Sequence, residues 1–382
     1  MTRSISLDSL NLAIDLIKKP SISPDDKGCQ DIIARQLEGS GFIIENLRFG
    51  SVDNLWCHHG NKNKPTLCFL GHTDVVPTGP LSEWDVDPFK AEIKNNRLIA
   101  RGAADMKASL AAMIIAAKKF VKDFPNHNGS IAFLITSDEE GEAENGTKKV
   151  METLSKRNEQ ITWCVVGEPS SNKILGDTIR IGRRGSLSGL LTLFGTLGHV
   201  AYPLESENVM HSLSKFIESI NKEPLDNGNN YFPATTFQMV NIHCDSKAPN
   251  VVPDKLTCRF NFRYSTEWTL ASLSKHVEDI LESLKINYDL TWKSAGEPFI
   301  TKEGVLSKAV TDSIKEETSI NAKLSTSGGT SDGRFVAPYG VDVVEIGPIN
   351  KTIHKVNEYI EIADISKLEN IYYNISKKIL VG

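Results

Sequence analysis

No stretch of this 382-residue sequence is apolar for long enough to cross a bilayer. The longest such run, Leu110 to Ala117, falls far short of the roughly 20 residues that a spanning helix needs. The opening Met-Thr-Arg-Ser-Ile-Ser-Leu-Asp puts Asp8 where a secretory signal would need its apolar core. A cytoplasmic protein without membrane contact is therefore expected. Cysteine is sparse and scattered: Cys29, Cys57, Cys68, Cys164, Cys244 and Cys258 are never spaced Cys-x-x-Cys. They read as small buried hydrophobes in a reducing compartment, not as a disulfide framework. An excess of one charge is missing too. With 43 Lys and Arg against 48 Asp and Glu, the net charge is −5, which excludes a general polycation for nucleic acid and leaves any anion binding to local sites. Internal repeats and low-complexity segments are absent.

What is present is an ordinary globular composition, 40% hydrophobic and 24% charged, in a chain longer than one hydrophobic core usually grows. Two domains are expected. Leu7, Leu10, Ile14 and Ile17 share one helical face, with Ser6 or Asp8 as cap and Pro20 as stop. Further helices are expected over about 26–37, 106–120, 146–155, 303–317 and 363–379. Between them, apolar runs from Asn54 to His59, Thr66 to Leu70, Ile131 to Thr136, Trp163 to Val166 and Val341 to Ile346 read as strands. This alternation predicts an α/β fold, a sheet flanked by helices on both faces. At Arg180-Ile-Gly-Arg-Arg-Gly185 the texture changes, and a hinge is expected there. The segment beyond it alternates at Leu187, Leu191 and Leu193, then offers helices over about 208–220 and 270–284 and strands over about 238–244, 256–263 and 288–292. It reads as a smaller inserted α+β domain over 184–295, with 1–183 and 296–382 forming the two parts of the first domain.

The strands of the first domain release polar residues at their carboxyl ends, where open α/β sheets bind ligands. Ile131 to Gly141 delivers Asp138, Glu139 and Glu140; the run from Thr66 delivers His72 and Asp74; Trp163 onward delivers Glu168; and Asp105 stands just before a helix. Adjacent carboxylates leaving a buried strand repel each other unless a cation sits among them. His72 and Asp74, two apart, lie on one side of an extended backbone, so His72 can bind metal while Asp74 accepts its other ring N–H. Each feature has a plainer use: Asp-Glu-Glu-Gly suits a solvated turn, Asp105 suits a helix N-cap, Arg184 suits a surface ion pair. Four such segments at one sheet edge together point to a carboxylate-rich metal site. Cys57-His58-His59 is structural by contrast, since neighbours in a strand face opposite ways, and His127, His211, His243 and His276 are read likewise. On its own, His199 would be a histidine satisfied within the smaller domain.

The motifs Gly71-His-Thr-Asp-Val-Val-Pro-Thr-Gly-Pro80, Arg101-Gly-Ala-Ala-Asp-Met-Lys107, Ser137-Asp-Glu-Glu-Gly141, Val166-Gly-Glu-Pro-Ser170, Gly182-Arg-Arg-Gly-Ser-Leu187, Gly198-His-Val-Ala-Tyr-Pro203 and Gly329-Thr-Ser-Asp-Gly-Arg-Phe335 resemble those of the M20 metallopeptidase family of dinuclear zinc amidohydrolases. The resemblance covers essentially the whole chain. It implies two zinc ions, with cobalt a possible substitute, bridged by Asp105. His72 and Glu168 would complete the ligands of one ion, Glu140 and His354 those of the other. Glu139 would be the general base, and Asp105-Met106 a cis peptide. The inserted domain would mediate a homodimer, with His199 reaching the partner subunit's active site as a donor to the oxyanion. Arg183, Tyr202, Asn250, Arg263, Thr330 and Asn350 would hold a carboxylate-rich small molecule. The implied reaction is hydrolysis of N-succinyl-LL-2,6-diaminopimelate to succinate and LL-2,6-diaminopimelate, a step of lysine and diaminopimelate synthesis. A sibling deacylase, such as one acting on acetylornithine, and a non-catalytic binding module are the alternatives. The sequence departs from the family's usual pattern at Ala100, at Leu204 and over Ile242 to Ala248, which bears on the rim of the substrate pocket.

Overall fold

A computed structural model describes residues 7–245 and 248–381. Ser6, the alternative cap of the first helix, and Ser246 and Lys247 of the departing loop lie outside the described residues. The chain divides into two compact units. One comprises the chain up to Gly182, Ile300–Ser325 and Ser331 onward; the other comprises Arg183–Phe299 and Thr326–Thr330. Relative to the expected 184–295, the second unit runs on to Phe299 and takes in part of the Gly-rich loop. Arg183 explains the latter, since its Nη1 donates to the carbonyls of Ser327 and Gly329, each at 3.1 Å.

The first unit is built on an eight-stranded mixed sheet in the order Ile43–Phe49, Val52–Gly60, Ser130–Thr136, Thr66–His72, Trp163–Val166, Asp342–Glu345, Thr178–Arg180, Lys323–Ser325. The four central strands, Ser130–Thr136 to Asp342–Glu345, run parallel. Every residue of Thr66–His72 and Ser130–Thr136 is buried, and side chains alternate in a strand, so both faces of the sheet are covered. On one face Leu67, Phe69, Ile131, Phe133 and Ile135 join a core with helices Leu7–Ile17, Ala108–Asp123, Val305–Thr318 and Ile362–Leu380. Helix Thr147–Lys156 packs on Ser130–Thr136 and Val52–Gly60 and buries Val150, Met151 and Leu154. Five alanines and a glycine-free sequence make Ala108–Asp123 helical, and its small side chains let Ile362–Leu380 pack closely. Among the described residues no helix is long and apolar enough to cross a membrane.

The second unit is a four-stranded antiparallel sheet in the order Thr236–His243, Lys255–Tyr264, Gly185–Phe194, Asn287–Gly296, with helices Val209–Ile220 and Leu270–Ser283. Period-two burial along Lys255–Tyr264 places Leu256, Cys258, Phe260, Phe262 and Tyr264 in a core with Leu213, Phe216, Val277 and Leu281 of the two helices. Each helix begins on a capping side chain, Asn208 and Thr269, which satisfies an otherwise orphaned backbone donor.

Candidate metal centre

Strand register brings the expected ligands to one level. His72 pairs with Thr136, so Asp138, Glu139 and Glu140 follow directly beside it. Leu70 pairs with Val166, which sets Glu168, two residues on, level with His72, two residues after Leu70. Asp105 arrives over these strand ends because Met106 packs between them. A Cβ on Gly71 would stand 2.6 Å, and one on Gly167 2.5 Å, from Met106 Cε. Glycine immediately before His72 and before Glu168 is thus what admits the Asp105 segment. The Asp105-Met106 bond is cis. Helix Ala108–Asp123 starts two residues later than the sequence suggests, with Lys107 at the cap position and no side-chain cap. Asp105 does not cap it.

Asp105 uses both its oxygens. Oδ1 lies 3.4 Å from His72 Nε2 and Oδ2 lies 3.3 Å from His354 Nε2. His72 Nε2 is also 3.5 Å from Glu168 Oε1, and His354 Nε2 is 2.8 Å from Glu140 Oε1. Ligand atoms of His72, Asp105 and Glu140, and of His72, Glu139 and Glu168, lie within 4.8 Å of one another. His354 reaches the group from a loop, at φ 60°, a left-handed conformation that a non-glycine residue adopts at a cost. The four pairings divide into His72 with Glu168 and His354 with Glu140, Asp105 lying between them.

The remaining ring nitrogen of His72 settles its tautomer. Nδ1 faces the main-chain carbonyl of Asp74 at 2.9 Å, an acceptor only, so Nδ1 carries a proton. The carboxylate of Asp74, expected to take that bond, is farther away, with Oδ1 at 3.6 Å. It accepts instead from the backbone N–H of Glu139 at 3.3 Å and of Glu140 at 3.1 Å, and from Ser23 Oγ at 2.6 Å. With Nδ1 protonated, the lone pair of a neutral His72 ring points from Nε2 at two carboxylates. His72 Nε2 and Asp105 Oδ1 are both buried without a hydrogen-bond partner. Two imidazoles amid Asp105, Glu139, Glu140 and Glu168 leave an excess of negative charge that a divalent cation would balance, and a mixed nitrogen and oxygen donor set suits zinc or cobalt. The residues fit a metal.

The electrostatics carry the same strain. Burial, then the charges of Glu168 and Asp332, lift Glu139 well above the usual carboxylate range. Burial, then Asp105, pushes Glu168 up to about 7 against the pull of His72. Burial disfavours the charge on Asp105, but His354 and His72 outweigh it and hold the group well below its ordinary value. His354 is pushed up to about 10 by Asp105 and Glu140. Asp332 had no role in the sequence reading. Only 3% exposed, it acts on Glu139 through its charge and is pushed up to about 6 by burial against the opposing charge of Arg334. Its position within the Gly329 to Phe335 motif was the available signal.

Of the other expected residues, Asn350 lies in the first unit and opens a short 3₁₀ turn, its N–H donating to Ser171 O at 2.9 Å. Arg183, His199, Tyr202, Asn250, Arg263 and Thr330 belong to the second unit. There Ala201 N–H donates to His199 Nδ1 at 3.1 Å, and the side-chain nitrogen of Asn250 lies 3.4 Å from His199 Nε2. The Tyr202 ring lies 5.7 Å from that of His199. Arg263 sits in strand Lys255–Tyr264 opposite Ser186 and Thr236, and Thr330 ends the Gly-rich segment.

A model of the peptidase family M20/M25/M40 matches residues 68–378. The chain is 51% identical over 373 residues to the succinyl-diaminopimelate desuccinylase of Acinetobacter baylyi, covering 98% of this chain and 99% of that one. It is 50% identical to the enzyme of the same name from Pseudomonas fluorescens, over 97% of each. Among solved structures, the M20 family metallo-carboxypeptidase Sso-CP2 from Sulfolobus solfataricus superposes with a TM-score of 0.76 at 21% identity, covering 97% of this chain and 98% of that one. The YXEP protein of Bacillus subtilis, a dinuclear metal binding peptidase of the M20 family, gives 0.72 at 14% identity over 98% of each. At such identities these two structures speak for the fold alone.

Proposed function

Because the chain belongs to the M20/M25/M40 peptidase family, we propose that it hydrolyses the amide of N-succinyl-LL-2,6-diaminopimelate, releasing succinate and LL-2,6-diaminopimelate, as the names of its desuccinylase relatives imply. The observation that carries the reading is Asp105, whose two oxygens each face one histidine. His72, Glu168 and Asp105 would hold one ion, and His354, Glu140 and Asp105 the other, zinc being the metal and cobalt a substitute. Ions held there supply Lewis-acid polarisation of the amide carbonyl and acidify water.

The chain's own groups do the rest. Glu139, with its raised proton affinity, takes the proton of the attacking water at its carboxylate and passes it to the leaving amine nitrogen. Asp74 fixes the backbone of Glu139 and Glu140 and, through its carbonyl, the ring of His72. His199 donates from Nε2 to the oxygen that becomes negative as the carbonyl is attacked. Arg183, Arg263, Thr330, Tyr202, Asn250 and Asn350 bind the substrate's carboxylates, arginine pairing with them in bidentate fashion. The inserted unit mediates a homodimer, and the enzyme works in the cytoplasm on a small molecule.

The test is hydrolysis of N-succinyl-LL-diaminopimelate beside N-acetylornithine by chelator-stripped protein titrated with zinc. Zinc-dependent release of succinate with little attack on the acetyl compound is the expected result. Preference for the acetyl substrate would assign a sibling activity, and no turnover of either would leave a binding module.

A further inference from the structure

Arg101 and Glu358 form an ion pair at 2.7 Å, with Arg101 2% and Glu358 0% exposed. Such a pair persists in an interior only if its remaining lone pairs and protons are also used. Here most of them serve backbone. Glu358 Oε1 accepts the N–H groups of Ala104 at 2.8 Å and Asp105 at 3.0 Å, and Oε2 accepts that of Gly102 at 3.2 Å. Arg101 Nη1 donates also to Lys355 O at 3.1 Å, and Nη2 to Pro77 O at 3.2 Å and Thr78 O at 3.3 Å. The Trp84 ring lies 5.4 Å from its Cζ. These partners lie on the segments that carry His72, Asp105 and His354: Pro77 and Thr78 follow His72, Gly102 and Ala104 precede Asp105, and Lys355 follows His354. The backbone between is irregular, with Gly102 at φ 80° and Asp105 at φ −123°, ψ 93° inside a single wide turn that Lys107 N–H closes on Gly102 O at 3.0 Å.

We propose that Arg101 and Glu358 are the positioning pair of the metal centre, fixing the backbone of Asp105 so that its two carboxylate oxygens face His72 and His354 at once. The inference rests on the two-ion reading of that site. Neither residue is catalytic: the carboxylate of Glu358 is filled by four donors, and Arg101 gives its fork to carbonyls. Side chains behind the ligands commonly govern metal affinity by 10- to 100-fold.

Two full-length variants test this. Glu358→Gln keeps the shape of the side chain but leaves one acceptor for four donors. Arg101→Lys keeps the buried charge paired, and with it the fold, while losing the fork that ties three segments together. Each protein is stripped by chelator, titrated with Co²⁺ by its visible absorption and with Zn²⁺ against a chromophoric chelator, and checked for its melting temperature without metal. The wild type is expected to bind two ions. Both variants are expected to bind both ions at least tenfold more weakly, with an altered cobalt spectrum, because one displaced carboxylate serves both. A merely structural pair would lower the melting temperature and leave affinity and spectrum unchanged; that outcome in Arg101→Lys overturns the inference. Wild-type protein that binds no pair of ions would remove the two-ion reading itself.

Discussion

Asp74 Oδ1 accepts the backbone N–H of Glu139 at 3.3 Å. One carboxylate therefore sets where the adjacent glutamates leave their strand, since Oδ2 takes the N–H of Glu140 and the hydroxyl of Ser23. Asp74→Asn replaces one acceptor with an amino group that faces donors. Metal affinity should fall about 10- to 100-fold, read by competition with a chromophoric chelator, and turnover should fall with it. An unchanged affinity would mean that the two N–H bonds are dispensable.

Glu139 and Glu140 are neighbours in sequence, but only Glu140 approaches His354. Glu139→Gln should leave bound metal near the wild-type level while turnover drops about 10²- to 10⁴-fold, the usual contribution of a positioned base. Elemental analysis and steady-state kinetics on one preparation decide it. A variant that loses metal would make Glu139 a ligand.

Protons and metal compete for the same charge. In chain stripped of metal, His354 titrates near 10 against an ordinary 6.5, so its stabilisation is complete below pH 6.5 and lost as pH rises through 10. Glu168, pushed from 4.5 to about 7, favours its neutral form in the fold, so its contribution is present below pH 4.5 and lost as pH rises through 7. Both act in one direction. The melting temperature of stripped protein should fall from about pH 4.5 to 10 over these ranges more steeply than that of zinc-loaded protein, whose ligands must be deprotonated anyway. Parallel profiles by calorimetry would contradict this.

His199 has Nδ1 occupied by the Ala201 N–H, so Nε2 is the ring nitrogen it can offer to a substrate. His199→Ala should lower turnover about 10²- to 10³-fold, as losing an oxyanion donor does, with zinc content unchanged. Metal depletion in this variant would contradict its place outside the ligand set.

Gly328 stands at φ 102°, and a Cβ there would lie 2.6 Å from Arg183 Nη1. Gly328→Ala should cost about 1–2 kcal/mol of stability in urea unfolding, from left-handed strain alone, and raise KM by moving Arg183. An unaltered KM would separate Arg183 from substrate binding.

The sheet's centre was legible because its strands are short apolar runs, three of them followed two residues on by a histidine or a carboxylate, as in Trp163 to Glu168. The smaller sheet was legible from alternation, as in Leu256, Cys258, Phe260 and Phe262. Strand Ile43–Phe49 was not, because it is exposed or half-buried throughout and its apolar residues do not alternate. Thr178–Arg180 and Lys323–Ser325 are three residues long, too short to show a period. The ligand candidates that ended strands could be read from sequence, whereas Glu358 could not: it lies in an irregular polar segment, and its role comes from backbone donors more than 250 residues away. The true task of the Asp74 carboxylate was equally hidden, since a period-two pattern places it beside His72 and says nothing of the N–H groups that the next strand delivers.

Strand Asp342–Glu345 lies between Trp163–Val166 and Thr178–Arg180, not at an edge of the sheet. A ribosome must therefore make more than 330 residues before this slot can be filled, and until then the growing chain carries a gap beside a buried parallel strand. Synthesis interrupted before Asp342 leaves main-chain donors and acceptors open to any passing strand. His354 lies beyond the same point, so an incomplete chain would be prone to aggregate and would also lack one of the two histidines that face Asp105.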